Sequence, residues 1–253
     1  MRLNEKIKRL RGPWILQGGR PKSFTLVELL VVVAILGLLA GLLIPVTQKA
    51  ISAGKTGKAT GNLRQIGVMM NSYISENNNR LPIAIASNWN QFHVTNMPFF
   101  QNLLRMHAGQ GVRGDPLIDP WLPDAFYDPA VKKGKQHLFG CFGVNDAIVL
   151  RNDDCIRVFG QGSGVPIHAI SPLSGKVVMA SAKDGPGSRW GSSWYINGRV
   201  WIQQGTNSQS PAPDARHGGK ALCLFADGHV EALDVNKMSA ADRAKYFQQD
   251  PTW

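Results

Sequence analysis

The most uneven part of the hydropathy pattern lies near the start of the chain. From Phe24 to Val46 run 23 residues in which Glu28 is the only charge, and sixteen uncharged residues extend from Leu29 to Ile44. At about 1.5 Å of rise per residue, roughly 20 such residues cross a bilayer core. The run is too long for the apolar part of an ordinary secretory signal. No Ala-x-Ala site follows it, and no lipid-acceptor cysteine precedes the folded part. The pattern therefore predicts a transmembrane helix that stays in the product.

Beyond Pro45 the periodicity changes. Leu63, Ile66, Met70, Tyr73 and Ile74 recur at three-to-four spacing, which predicts an amphipathic helix. Between the two helical patterns, residues 52–61 (SAGKTGKATG) hold three glycines, each costing about 1 kcal/mol relative to alanine inside a helix. That stretch is a candidate melted segment; the alternative is a weak but continuous helix held by the folded part. Asparagines and Pro82 end the pattern at 76–82. Residues 98–107 read as a short second helix, and the Pro- and Asp-rich stretch 111–129 as an ordered loop.

The remainder turns to short β-favouring runs bounded by turn residues: HLFGCFGVNDAIVL, DCIRVF, GKVVMASA, SSWYINGRVWIQ and KALCLFADGHVEAL. Asn197-Gly198 and Asp227-Gly228 are the pairs that favour type I′ hairpin turns. A two-residue turn at Asp227-Gly228 sets Phe225 opposite Val230, Cys223 opposite Ala232, Leu224 opposite Glu231 and Ala226 opposite His229. A long N-terminal helix followed by an antiparallel sheet predicts an α+β fold, with the sheet packed on the C-terminal half of the helix.

Composition and charge refine this. A hydrophobic fraction of 43% with 15 prolines fits a folded protein rather than a disordered one. The net charge of +11 is uneven: residues 1–23 carry seven basic residues against Glu5, or 7 − 1 = +6, and the rest carry 21 − 16 = +5 without a basic run. A basic tract before an apolar span is a cytoplasmic topology signal. With no basic stripe interleaved with aromatics, nucleic acid is not an expected partner. Cys141, Cys155 and Cys223 form no CxxC and no zinc spacing. Cys223 reads as a small buried hydrophobe, and Cys141 and Cys155 as a candidate pair in an oxidising compartment.

A carboxylate inside the span needs a reason, since it costs roughly 2.5 to 3.5 kcal/mol on insertion scales. In one reading Glu28 marks the membrane edge and reaches water. In the other, cleavage between Ser23 and Phe24 gives Phe24 a free α-amino group about 6 Å up the helix axis. That amine, or a neighbouring subunit's, then neutralises the acid in a low-dielectric setting.

The stretch SFTLVELLVVVAILGLLAGLLIP resembles the N-terminal cleavage and methylation segment of type IV prepilins and type II secretion pseudopilins. The matching residues are Phe24, Thr25, Leu26, Glu28, Leu29 and Leu30, with Pro45 at the family's usual helix kink; Ser23 stands where the family usually has glycine. The resemblance implies leader removal by a prepilin peptidase that also N-methylates Phe24. It implies packing with other pilin or pseudopilin subunits into a filament in which Glu28 meets a neighbour's N-terminus. Towards the other end, His217, nine residues and Asp227-Gly228 resemble the C-terminal signature of a class of bacterial prepilin-like proteins.

Three readings of His217, Asp227 and His229 compete. Asp227 makes the turn while His217 hydrogen-bonds a neighbouring strand; or Asp184, Asp214 and Asp227 supply oxygens to calcium, which some pseudopilins hold in a C-terminal loop; or a His/Asp catalytic site exists. The last has no HExxH motif or nucleophile elbow to organise it. Trp190, Trp194, Trp201 and Trp253 crowd the C-terminal half, where core packing is the ordinary role.

The expected organisation is a basic leader at 1–23, a transmembrane helix at 24–46, an amphipathic continuation at 47–78 and an extracytoplasmic α+β domain at 79–253 with the signature at 217–228. The expected function is that of a processed, non-enzymatic pilin-like subunit in the bacterial inner membrane, its N-terminus cytoplasmic and its domain periplasmic. A membrane-anchored extracytoplasmic binding protein or enzyme that shares only the anchor is the alternative.

Overall fold

A computed structural model describes residues 24–83, 124–136, 140–149 and 164–248. The chain divides into two compact units, Met1–Thr47 and Gln48–Trp253. The expected leader, the 98–107 helix, the DCIRVF run, Cys155 and Trp253 lie outside the described residues, as does most of the 111–129 loop.

Helix α1 runs from Leu26 to Glu76 and passes through Pro45. In the first unit its residues are exposed throughout, and its best 18-residue window has a mean hydropathy of 3.0. In the second unit one face of the helix is buried: Ala59, Leu63, Ile66, Gly67, Met70 and Ile74, at the spacing the sequence predicts. The glycine-rich stretch 52–61 is helical, so the melted-segment expectation is corrected to a continuous helix. Nucleation is the costly step in helix formation, and this stretch is flanked by helix on both sides. Three glycines forgo about 3 kcal/mol, whereas full burial of Leu63, Ile66 and Met70 contributes roughly 5 to 9 kcal/mol.

The second unit holds a mixed six-stranded sheet. Its strands are β1 (Phe142–Asn145), β2 (Val177–Lys183), β3 (Tyr195–Ile196), β4 (Ala212–Pro213), β5 (Ala221–Phe225) and β6 (Val230–Leu233). The order is β3-β1-β2-β5-β6, with β4 on the far end of β2; β1 and β3 are parallel and the other pairs antiparallel. One face packs on the C-terminal half of α1 through Val178, Leu222 and Leu224. The other is covered by two short helices, α2 (Gly198–Gln204) and α3 (Ala240–Phe247), which bring Trp201 and Phe247 over Ala180, Cys223 and Phe225. The fold is α+β and pilin-like, with the sheet between helices.

Two turn expectations are corrected. Asn197-Gly198 is not a hairpin: Asn197 caps α2, its side chain accepting from the Val200 N–H at 3.2 Å, and Gly198 N donates to Asp146 Oδ1 at 2.8 Å. Glycine is needed at 198 for close approach, because a Cβ there would lie 2.1 Å from Asn145 Oδ1. The Asp227-Gly228 loop has three residues rather than two. Gly228 N donates to Phe225 O at 2.9 Å, Gly228 sits at φ +92°, and Phe225 N donates to His229 O at 2.9 Å. That is a type I turn closed by a residue in the left-handed region, the usual three-residue hairpin. The pairing therefore slips by one residue, and Leu224 faces Val230 while Cys223 faces Glu231.

Candidate functional site

The N-terminal segment supplies partners for its own acid. Thr25 precedes the first residue of α1, and Glu28 is the third residue of the helix. Glu28 Oε2 accepts from the Thr25 backbone N–H at 2.9 Å and from the Thr25 hydroxyl at 2.8 Å, while Glu28 N–H donates to Thr25 Oγ1 at 3.2 Å. This is a reciprocal capping box: two orphan amides of the helix start are satisfied, and the carboxylate sits at the positive end of the helix dipole. The Thr25-x-x-Glu28 spacing was the available sequence signal for it. Phe24 is 78% exposed, Ser23 lies outside the described residues, and Pro45 is exposed within the helix.

The stretch from His217 to Gly228 meets α1 at two places in the second unit. His217 is buried; its Nε2 stands 2.9 Å from Asp128 Oδ2 and its Nδ1 3.2 Å from the Thr56 hydroxyl. An ionised carboxylate only accepts, so Nε2–H donates to Asp128 and Nδ1 is left facing Thr56. Asp128 is fully buried and also accepts from Ala130 N–H at 2.8 Å. Nearby, the Asn62 side chain donates to the carbonyls of Asp124 and Tyr127, tying the same loop to α1. At the other end of this stretch, Gly228 O and Leu224 crowd Gly67, where a Cβ would come within 3.0 Å of both. A Cβ on Gly228 would in turn lie 2.7 Å from Asn71 Nδ2. The stretch 217–228 thus grips the helix at Thr56 and at Gly67, about 16 Å apart along its axis.

Arg216, which sequence reasoning passed over, links the cluster to the sheet. Its Nε donates to Asp214 Oδ2 at 2.7 Å, its Nη2 donates to the carbonyls of Ala182 and Gly191, and its Nη1 lies 3.7 Å from Asp128 Oδ2. Asp128, equally unforeseen, sits in a loop whose composition gives no hint of burial.

The calcium candidates are not brought together. Asp214 is held by Arg216; Asp184 accepts from Gly185 N and the Ser188 hydroxyl within its own loop; Asp227 accepts from His229 N and pairs with the His229 ring. Among the described residues no group of three or more His, Cys, Asp or Glu side chains is placed to hold a metal ion. Cys141 and Cys223 are free and buried, and burial raises the pKa of both thiols.

Residues 20–44 match the prokaryotic N-terminal methylation motif. No curated protein and no solved structure matches the chain. The match, with the exposed apolar helix that begins inside it, fits a membrane-anchored protein and supports a type IV pilin- or pseudopilin-like precursor.

Proposed function

We propose that the chain is a structural subunit of a pilus-like or type II secretion filament, not an enzyme. In this reading prepilin peptidase cuts between Ser23 and Phe24 and methylates the new amine. Residues 24–46 hold the product in the inner membrane, with the second unit on the periplasmic side. Subunits then gather through their apolar helices. The observation that carries the reading is the Thr25–Glu28 capping box at the start of a bare apolar helix, inside the matched motif. The box keeps the Glu28 carboxylate at the end of the helix where cleavage creates a cation. A neighbour's Phe24 amine can then meet an acid already held in place, and pairing removes the cost of an uncompensated charge in the membrane.

The intact mass of the protein from its native membrane tests this. A chain beginning with N-methylated Phe24 is expected; an uncut chain starting at Met1 sinks the proposal and favours an anchored binding protein or enzyme. Glu28→Leu is expected to insert in the membrane yet fail to enter filaments, and normal incorporation would remove the ion-pair account.

A further inference from the structure

The face of α1 that is buried from Ala59 onward continues towards the N-terminus as Gln48, Ile51, Ser52, Lys55 and Thr56. There it forms one wall of a cleft of about 270 Å³ closed by Ala130 and Arg216. The helical wall carries Ile51, the donors of Gln48, Ser52 and Lys55, and the Thr56 hydroxyl that faces His217, with no carboxylate. Beside it, the loop after Ala130 presents Lys132, Lys133 and Lys135, all exposed. This loop is joined to the Arg216 side of the cleft: Gly191 N donates to Lys135 O at 2.7 Å, Gly191 O accepts from Arg216, and Lys135 Nζ donates to Arg189 O at 3.0 Å. Arg189 lies over the partly exposed Trp190 ring, 4.4 Å from its centroid. Of the cluster's carboxylates, Asp214 is bonded to Arg216 and Asp128 to His217, with Arg216 Nη1 3.7 Å from Asp128; among the described residues Lys55, Lys132, Lys133 and Lys135 carry no ion pair. Arg216 Nη1 has no hydrogen-bond partner among the described residues.

We infer that this cleft and the lysine loop beside it bind phosphates of anionic phospholipid headgroups, docking the second unit on the bilayer. The inference rests on residues 24–46 being the membrane span. Connectivity argues for the occupant: Gln48 follows Val46 by two residues and Lys55 by nine, about 3 and 13 Å along a helix. The headgroup layer is about 5 to 8 Å deep on each side, so Gln48 lies within it and Lys55 just beyond, its side chain inclined back towards the helix N-terminus. Lysines that carry no ion pair among the described residues and a cation-bearing tryptophan are the chemistry that such a layer attracts.

The test uses the full chain in nanodiscs of phosphatidylcholine alone or with phosphatidylglycerol added. Lysine acetylation is read by mass spectrometry, and retained lipid by native mass spectrometry. Phosphatidylglycerol is expected to protect Lys55, Lys132, Lys133 and Lys135 and not Lys245, which lies on α3 across the sheet from α1, and to be retained in preference to phosphatidylcholine. Each Lys→Gln change in the loop is expected to weaken that preference about fivefold. Insertion with equal acetylation in both discs overturns the inference and leaves the span intact. A chain that does not enter the discs removes the span, and the inference with it. Inorganic phosphate protecting these lysines as well in pure phosphatidylcholine discs would show a phosphate pocket rather than a lipid-docking surface, and would also overturn it.

Discussion

His217 donates to Asp128 across 89 residues of sequence, at 2.9 Å, with both side chains withdrawn from solvent. The acceptor is fully buried, so the bond matters more for what its loss leaves behind than for its own strength. A buried carboxylate deprived of a donor keeps its desolvation cost, about 1 to 3 kcal/mol for a polar group and more for a charged one. His217→Ala is expected to lower stability by about 2 to 4 kcal/mol, including the space vacated, as measured by denaturation of the full chain in detergent. Asp128→Asn should cost less than His217→Ala, because a neutral amide buried there needs less compensation. The reverse order would mean that the pair does not fix the loop to α1.

The glycines of α1 fall into two groups with opposite expected signs. At Gly54, Gly57 and Gly61 an added Cβ meets nothing within 4 Å, so alanine there gains helix propensity, about 0.5 to 1 kcal/mol each. At Gly67 the same methyl comes within 3.0 Å of Gly228 O and Leu224 Cδ1, and the helix must draw back from the hairpin. Gly67→Ala is expected to destabilise despite its better propensity. Four single variants compared by melting temperature decide this, and a stabilising Gly67→Ala would deny the close approach.

The sequence disclosed the long helix and the buried stripe from Leu63 to Ile74, because a 3.6-residue period stands out when one face is apolar and the other polar. Strand β5 offered no such contrast. All five of its residues are buried, some against α1 and some against α2 and α3, so alternation could not set the register. Asp227-Gly228 is compatible with loops of two or three residues, and the one-residue slip followed from choosing the shorter. Asn197 is as good a helix cap as a turn former, and what separated the two uses was the approach of Gly198 to Asn145, a contact 53 residues away. Helix α3 was missed although Ser239-x-x-Asp242 spells a capping box. Asp128 carried no local signal, since its role depends on His217 arriving from the turn between β4 and β5.

Both described thiols should be silent in the folded protein. Burial is the first cause of the raised Cys141 pKa and of the raised Cys223 pKa; for Cys223 the charge of Glu231 acts in the same direction. The thiolate is the reactive form, so alkylation at pH 8 is expected to leave Cys141 and Cys223 unmodified and to label both after denaturation. Peptide mapping reads the outcome. Labelling of Cys141 in the native state would mean that its side of the sheet opens.

The cap of α3 should make part of the stability pH-dependent. Ser239 Oγ accepts from Asp242 N at 3.1 Å, while Asp242 Oδ2 accepts from the Ser239 hydroxyl at 2.6 Å and from its N–H at 3.1 Å. The side-chain bond first, and the backbone bond second, hold the Asp242 carboxyl below its ordinary value near 3.8. A depressed folded-state pKa stabilises the fold above the unfolded value, and the contribution fades as pH falls through the folded one. Ser239→Ala removes these bonds except the one from the backbone N–H, so wild type should exceed the variant in stability at neutral pH. The gap should narrow below about pH 3.8. It should not close, because the serine oxygen still accepts from Asp242 N when the carboxyl is protonated. Denaturation of both proteins across this range checks the sign, and a gap that widened in acid would place the carboxyl's stabilising partner elsewhere.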